Sequence, residues 1–598
     1  MQLHAIDWIV ALASVAICFA PALFVSKRSG RSTAEFFASG RSVPWWLAGL
    51  SMVATTFSSD TPNLVANLVR TQGVAGNWQW WAFTLTGVAT VFFYARLWRR
   101  SGVLTDLEFY ELRYSGKAAS AVRGFRALYL GLFFNCIIMA TVNLAACKIA
   151  AVLFGFSRWE TLLAVGLLNV VFAAHSGLWG VLVIDMIQFF IKMAAVIAAA
   201  YFAVTLPQVG GLAGLVDKLS HVHGPGGLHY LNMLPDFTSN WDLAVAVFIM
   251  PIAVQWWAVW YPGAEPGGGS YVAQRMLASK TEKDALAGTL FFNVAHYVLR
   301  PWPWILVGLA SLVVYPQLAD IQRAFPHLDP SLVGHDIAFP VMLRFLPAGW
   351  LGLMLGGLIA ANSSTILTHL NWGASYLVHD FYRRFLIRGA SEHHYVTAGR
   401  LATILLFVLS SGMVFLLGTA KDAFSLILQV GAGTGLLYLL RWYWWRVTAW
   451  CEIVAMASSF GISILFLILV KAGVSLGTTR QLLLTVAFTT VCWLLTAYLG
   501  PRTDQETLIG FYRKVHPPGP GWNAIRVLAG VSTEQAAEDA AHVPLALAGW
   551  FLGCTLIWSA LFTVGNFLYG RTGYALFLLV IFLVSGGALI RVVQRIWR

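Results

Sequence analysis

Long apolar runs dominate the chain. They cover approximately 7–25, 45–69, 77–98, 124–155, 160–174, 178–206, 242–262, 284–314, 338–378, 397–417, 422–440, 450–471, 482–499, 544–569 and 573–594, with short polar stretches between them. A helix needs about 20 apolar residues to cross a hydrocarbon core of about 30 Å. The pattern therefore predicts an all-α integral membrane protein of about 15 transmembrane helices. The ten-residue alternation of an outer-membrane barrel is not the pattern seen.

Composition narrows this further. Of 598 residues, 58% are hydrophobic and 11% charged, against about 25% charged in soluble domains, so a water-soluble fold is excluded. Cys18, Cys136, Cys147, Cys451, Cys492 and Cys554 all fall in apolar segments and read as small buried hydrophobes. No Lys or Arg precedes the first apolar run, which argues for a retained helix rather than a cleaved leader. The net charge of +13 would suit nucleic acid, but its placement does not. With the N-terminus outside, 27 of the 39 Lys and Arg fall on cytoplasmic connections, 8 outside and 4 within spans or at their ends. Such asymmetry sets orientation: N-terminus outside, C-terminus cytoplasmic, in the cell inner membrane, with no nucleic-acid or obligate protein partner expected. The outer connection 207–241 carries His221, His223 and His229, which are a metal site or, preferably, surface histidines. The inner connection 500–543 is polar, contains Pro517-Pro518-Gly519-Pro520, and reads as a linker.

Three apolar segments carry unusual chemistry. Segment 45–69 holds Ala54-Thr55-Thr56-Phe57-Ser58-Ser59-Asp60-Thr61-Pro62-Asn63. Pro62 cannot donate a helical hydrogen bond, so carbonyls near 54–58 are predicted to be released. Lipid tolerates unpaired backbone only where protein or a cavity takes it up, which favours a binding-site break over a kinked packing helix. Segment 242–262 holds Pro251 and runs into Pro262–Gly269. The two anomalies lie five spans apart, and paired interruptions mark the midplane site of inverted-repeat transporters. Segment 338–378 places Ser364, Thr365 and Thr368 three to four residues apart, on one helix side, where hydroxyls and freed carbonyls suit a hard monovalent cation. Asp185 lies in another apolar span and is functional by default, for cation or proton coupling; the alternative is a structural pair with Lys192, two turns on. Asp60 is a candidate gate or coupling acid. His296 and Arg300 are candidates to line a cavity, Arg300 alternatively to cap a kink beside Pro301.

These residues lead to a resemblance. Phe36-Phe37-Ala38-Ser39-Gly40-Arg41-Ser42 with Trp45-Trp46, Thr105-Asp106-Leu107-Glu108-Phe109, Tyr271 to Lys280, and Leu346 to Leu353 running into Ala361–Thr365 and Asp380-Phe381-Tyr382 resemble the sodium:solute symporter family, relatives of sodium/glucose cotransporters with a LeuT-like fold. The similarity covers roughly 5–445. It implies an N-terminal extra helix and loop (1–44), a first five-helix repeat (45–206), an inverted second repeat (242–440), two accessory helices (441–499), the linker (500–543) and a two-helix appendix (544–598).

The resemblance implies Na⁺ held by the carbonyls of Ala54, Phe57 and Ala361 and the hydroxyls of Ser364 and Thr365. Asp185 and Thr368 match a second cation or proton site, but Leu367 stands where a hydroxyl is expected, which favours one Na⁺ per solute. Matching solute positions are Thr61, Gln79, Trp257, Trp260, Tyr261, His296, Tyr297 and Gln429. Tyr297 replaces the lysine of sugar-transporting relatives, and the Trp set also suits an interfacial belt. The expected function is Na⁺-coupled symport of a small polar organic solute, sugar or sugar-like, by alternating access, and not an enzyme. Alternatives are a proton-coupled symporter of an organic acid or other nutrient, through Asp185 and Asp60, and a non-transporting membrane solute sensor.

Overall fold

The computed structural model describes residues 3–29, 39–258, 266–417, 433–474 and 476–597. The molecule is mostly helical, its one sheet among the described residues being the hairpin of β1 (His223–Gly224) and β2 (Leu228–His229) in the outer connection. Nine helices among the described residues are long and apolar enough to span a membrane, and three shorter apolar ones accompany them. Most of the predicted span 422–440 lies outside the described residues, and the long count falls below the predicted 15 in part because several spans are interrupted. Segment 77–98, for example, is divided into Trp78–Trp81, Thr84–Ala89, a π-helical turn Thr90–Tyr94 and Ala95–Ser101.

The first helix, α1 (Ala5–Ser29), is followed by α2 (Trp45–Thr55) and α3 (Asp60–Gln72), so segment 45–69 is broken at 56–59. Pro62 falls in the first turn of α3, where helical N–H groups have no partner in any case, and it cannot donate across the break to the preceding turn. Next come α4 (Gly116–Phe154) and α5 (Arg158–Val204). Two spans were predicted within α5, yet it is one helical run. It is not straight. Asn169 donates to Asn362 and Asp185 accepts from Ser364, partners two residues apart, whereas 16 residues of straight helix extend about 24 Å. The run must bend sharply between Asn169 and Asp185.

The second interruption separates α6 (Trp241–Ala253) from α7 (Ser270–Ala278). Then follow α8 (Glu282–Val314), α9 (Trp350–Leu386) and α10 (Glu392–Leu416). Large apolar side chains such as Leu163, Leu167, Phe190, Ile197, Leu401 and Val408 point outward, as a lipid-facing perimeter requires.

Segment 500–543 is folded rather than a loose polar linker. Its helix Gln505–Val515 and the turn at Trp522 bury aromatic rings: Trp522 Nε1 donates to Trp442 O at 2.8 Å, and the Arg113 guanidinium lies 4.6 Å from the Trp522 ring. The appendix helix begins at Thr533 rather than 544. The Trp550 and Trp302 indoles tie this helix to Leu85 O and to α8, at 2.7 and 2.8 Å.

Charge is also placed less superficially than the loop arithmetic implied. Arg70, Arg113, Arg126, Arg275 and Arg441 are all buried, bonded to protein rather than facing lipid headgroups. At the C-terminal end of α9, Arg123 reaches Glu111 and Asp380 at 2.7 Å each. Burial pushes the Glu111 carboxyl up, but hydrogen bonds from Arg384, Ser120 and Arg123 outweigh it and bring the group down to about 2.

At its other end α9 is held by α1. Asp7 Oδ1 accepts the backbone N–H groups of Gly349 and Gly352 at 2.7 and 3.0 Å, a carboxylate at a helix N-terminus, where it is stabilised. Gly352 and Gly356 let the backbones touch: a Cβ on Gly352 would stand 2.4 Å from Asp7 O, and one on Gly356 2.6 Å from Ser14. Gly352→Val should therefore lower the thermal midpoint of the detergent-solubilised protein, at a cost of about 2 kcal/mol by overpacking. Gly587→Ala, where an added Cβ meets nothing within 4 Å, is the control and should leave the midpoint in place.

Candidate cation and solute sites

At the break at 56–59 the carbonyls at the end of α2 lose their ordinary i+4 donors; Ala54 O keeps one backbone bond, from the Phe57 N–H at 3.1 Å, and the Thr56 hydroxyl reaches Val53 O at 3.0 Å. Three side chains from other helices take them up. Thr365 Oγ1 of α9 donates to Thr55 O at 2.7 Å. Lys192 Nζ of α5 donates to Ala54 O at 2.9 Å and to Phe57 O at 3.2 Å. Arg300 of α8 donates to Val53 O at 3.2 Å and to the Thr56 hydroxyl at 3.1 Å. The Thr55 and Thr368 hydroxyls also meet, at 3.1 Å. Stretches 54–57 and 361–365, about 300 residues apart in sequence, are thus in direct contact.

Each of the five oxygens that the family resemblance offers to Na⁺ has an internal partner in this region. Ala54 O and Phe57 O hold the Lys192 ammonium, Ala361 O accepts from Thr365 Oγ1 at 3.3 Å, Ser364 Oγ donates to Asp185 Oδ1 at 2.6 Å, and Thr365 Oγ1 is shared between Ala361 O and Thr55 O. The donor chemistry suits a monovalent cation: neutral oxygens, two of which already coordinate one positive charge.

Around Asp185 and Thr368 the second candidate site takes a similar form. Asp185 Oδ2 accepts from Ser51 Oγ at 2.5 Å. Arg275 of α7 places Nη2 3.8 Å from Asp185 Oδ2 and 3.0 Å from Thr368 Oγ1, and Nε 3.2 Å from Ser51 Oγ. One guanidinium thereby joins the helix after the second break to α2, α5 and α9. Arg275 had been counted as a cytoplasmic-loop charge; it sits instead in the helix Ser270–Ala278, which is buried throughout. Asp185 pairs with Arg275, and Lys192 turns to the broken helix instead.

Several solute candidates gather beside the first break. Thr61 Oγ1 lies 3.1 Å from Ser58 Oγ, and Ser58 donates to Asp60 in the first turn of α3. His296 Nδ1 is 3.1 Å from Thr56 Oγ1 and is also bonded to Arg300; Arg300 thus reaches the break, and its Nε also donates to His296 O at 3.4 Å, at the junction of the π turn with the helix from Pro301. The Tyr297 ring packs 4.4 Å from His296 and stacks on Trp80 at 6.0 Å. Gln79 Nε2 donates to Gln72 Oε1 at 2.5 Å. Trp257 lies in a 3₁₀ turn after α6 with its indole nitrogen buried and unbonded. Trp260, Tyr261 and Gln429 lie outside the described residues. A cavity of about 420 Å³, within the range of small-molecule sites, extends from Tyr94 and Trp256 to Pro518–Gly521 and Trp550. The loop histidines form a pair, with His223 and His229 rings 4.4 Å apart; among the described residues no cluster of three or more metal-ligating side chains occurs.

Two interrupted helices bonded to α5, α8 and α9 inside an apolar shell are the arrangement of a membrane transporter. Comparison with known proteins agrees. The sequence profile of the sodium:solute symporter family matches residues 36–458, and the chain belongs to that family. It is 26% identical over 516 residues to a sodium/glucose cotransporter of Vibrio parahaemolyticus, covering 84% of this chain and 92% of that one. Identity to sodium/glucose cotransporter 1 of Oryctolagus cuniculus is 24%, over 71% of this chain and 66% of the other. For sodium/glucose cotransporter 4 of Mus musculus it is 22%, over 69% and 60%. A solved Na⁺-coupled sialic acid symporter in a substrate-bound outward-open state shares the fold, with a TM-score of 0.66 at 18% identity, over 84% of this chain and all of that one.

Removing the Asp185 charge leaves Arg275 buried with no carboxylate, which typically costs about 3–5 kcal/mol. Asp185→Asn should lower the unfolding midpoint strongly, and Asp185→Asn/Arg275→Gln should recover much of the loss. Equal losses in the single and double variants would show that the pair is not coupled.

Proposed function

We propose that the protein is a secondary active symporter that carries a small polar organic solute, sugar or sugar-like, with Na⁺, by alternating access. It lies in the cell inner membrane with its N-terminus outside and its C-terminus cytoplasmic. The observation that carries this reading is the contact of the broken end of α2 with α9, where Thr365 Oγ1 bonds Thr55 O. Na⁺ is a co-transported substrate. Ala54, Phe57, Ala361, Ser364 and Thr365 are the residues to hold it, and the names of the sodium/glucose relatives support both ion and solute class.

Coupling follows from the placement. A cation held by oxygens of both α2 and α9 favours the arrangement in which these helices touch, and a ligand shifts an equilibrium only through such differential affinity. Solute binding beside the same break, against Tyr297, His296 and Thr61, draws on the same arrangement. Movement that separates α2 from α9 then weakens both sites together. One charge crossing about 150 mV releases about 3.5 kcal/mol, enough for several-hundred-fold accumulation. Asp60, in the first turn of α3, is the candidate coupling acid beside the solute.

A proton-coupled symporter on the same fold is the second reading, favoured by the protein's own cations standing at both candidate ion positions. Uptake into proteoliposomes separates the two: replacing Na⁺ by choline at fixed pH should abolish accumulation of the transported sugar or polyol, and undiminished accumulation would refute Na⁺ coupling. Under the same assay Ser364→Ala and Thr365→Ala should each lower Na⁺-dependent uptake at least about tenfold, the loss of one ligand worth about 1.4 kcal/mol or more. Their unfolding midpoints should fall only by what one lost buried hydrogen bond costs, about 1–3 kcal/mol, with the protein still folded. Normal Na⁺ dependence in both variants would remove this site from the mechanism.

A further inference from the structure

We infer that Lys192 is a tethered cation that competes with Na⁺ for the place between α2 and α9, and so sets the apparent ion affinity of this transporter. The inference rests on the Na⁺ placement proposed above. Nothing in the repeat architecture calls for a lysine here, and the residue is only 1% exposed. Its ammonium donates to Ala54 O and Phe57 O, the two carbonyls that α2 contributes to the ion's coordination, and stands 5.5 Å from the Phe57 ring.

An ammonium and Na⁺ carry the same charge and seek the same oxygens. Two carbonyls three residues apart at one helix end present a single concave set of lone pairs. Placing a second monovalent cation beside the first in a water-poor interior is strongly repulsive. Occupation is therefore exclusive: either Lys192 holds these carbonyls or Na⁺ does.

The surrounding charges sharpen the competition. Asp185, on the same helix, is the acid nearest in charge interaction, but it is bound by Ser51 and Ser364 and faces Arg275. Arg300, from α8, lies 5.7 Å from the same Phe57 ring and bonds His296. Cys18 of α1 is the remaining ionisable neighbour in reach of Lys192. Three basic side chains thus share this region with one carboxylate, and an incoming Na⁺ is better accommodated when one of the three withdraws. Lys192, on a flexible four-carbon stem and held by two neutral carbonyls, is the one positioned to do so.

Lys192 could instead serve only as a cap on the end of α2, since lysines commonly bond the last carbonyls of helices. Na⁺ binding distinguishes these roles. If the ammonium holds the place in nine-tenths or more of the molecules, its removal lowers the apparent Na⁺ dissociation constant about tenfold or more. The experiment measures Na⁺ binding to the purified full-length protein by radiolabelled-sodium scintillation proximity. The Na⁺-induced rise in unfolding midpoint is read alongside, against choline at constant pH and ionic strength.

Lys192→Met should bind Na⁺ at least about tenfold more tightly than the parent and gain the larger thermal shift, while Lys192→Arg should gain neither. Should Lys192→Met not fold, Lys192→Gln carries the same comparison, its amide still able to reach one carbonyl without charge. Unchanged or weaker Na⁺ binding in the neutral variants, or none at all, would overturn the inference and leave a helix cap. Tighter binding in the variant together with parent uptake indifferent to Na⁺ would uphold the tethered cation and refute Na⁺ coupling. Na⁺-driven parent uptake with no gain in the variant would do the reverse.

Discussion

Inside an apolar layer a helix cannot simply stop, because the carbonyls at its end lose their amide partners where no water replaces them. The break after Thr55 meets this constraint with side chains drawn from three other helices: Thr365 from α9, Lys192 from α5 and Arg300 from α8. Much of the central architecture can be read as what is needed to bring those three to one point. The bend in α5 lets Asn169 and Asp185 both reach α9, and the glycine face of α9 lets α1 lie against its far side. Arg275, just beyond the second break, closes the ring by joining α7 to α2, α5 and α9.

The same requirement explains why the site can change state. A continuous helix satisfies its own backbone and needs nothing from its neighbours. A broken one borrows partners, and each borrowed hydrogen bond is a contact that can be exchanged for another, with an ion or a solute, when α2 and α9 shift. The five π-helical turns among the described residues, at Thr90–Tyr94, Tyr129–Phe134, Val245–Ile249, Ala295–Leu299 and Tyr376–Leu386, show the same looseness in other helices, and such turns are frequent at functional sites. Rigidity is supplied elsewhere, by the ion pairs that anchor the C-terminal end of α9 and by Asp7 at its other end.

Much of this was legible in the sequence because it follows from single residues with unambiguous physics. Pro62 amid hydroxyls foretold the first break, Pro251 and the glycine-rich stretch the second, and Ser364, Thr365 and Thr368 the side of α9 that faces it. The partners were not legible. Asp185 read as a coupling acid, with a pair to Lys192 two turns on as the alternative, but each is bonded to a partner on another element, a choice made by tertiary contact that spacing cannot reveal. Arg275 read as a loop charge because a guanidinium inside the membrane is improbable until its acceptors, Ser51, Thr368 and Asp185, are placed around it. The 500–543 segment misled in the opposite direction: prolines and charges outweighed Phe511 and Trp522, whose rings fix it against Trp442.

The central claim is that the end of α2 is completed by a positive charge lodged between Ala54 and Phe57. The most direct measurement is an experimental structure of the full-length protein in nominally Na⁺-free buffer, at a resolution that shows lysine side chains. The account predicts density for the Lys192 ammonium within about 3.3 Å of both carbonyls, the ordinary reach of a charged hydrogen bond. A Lys192 side chain turned away, with α2 and α3 joined in one unbroken helix, would contradict it.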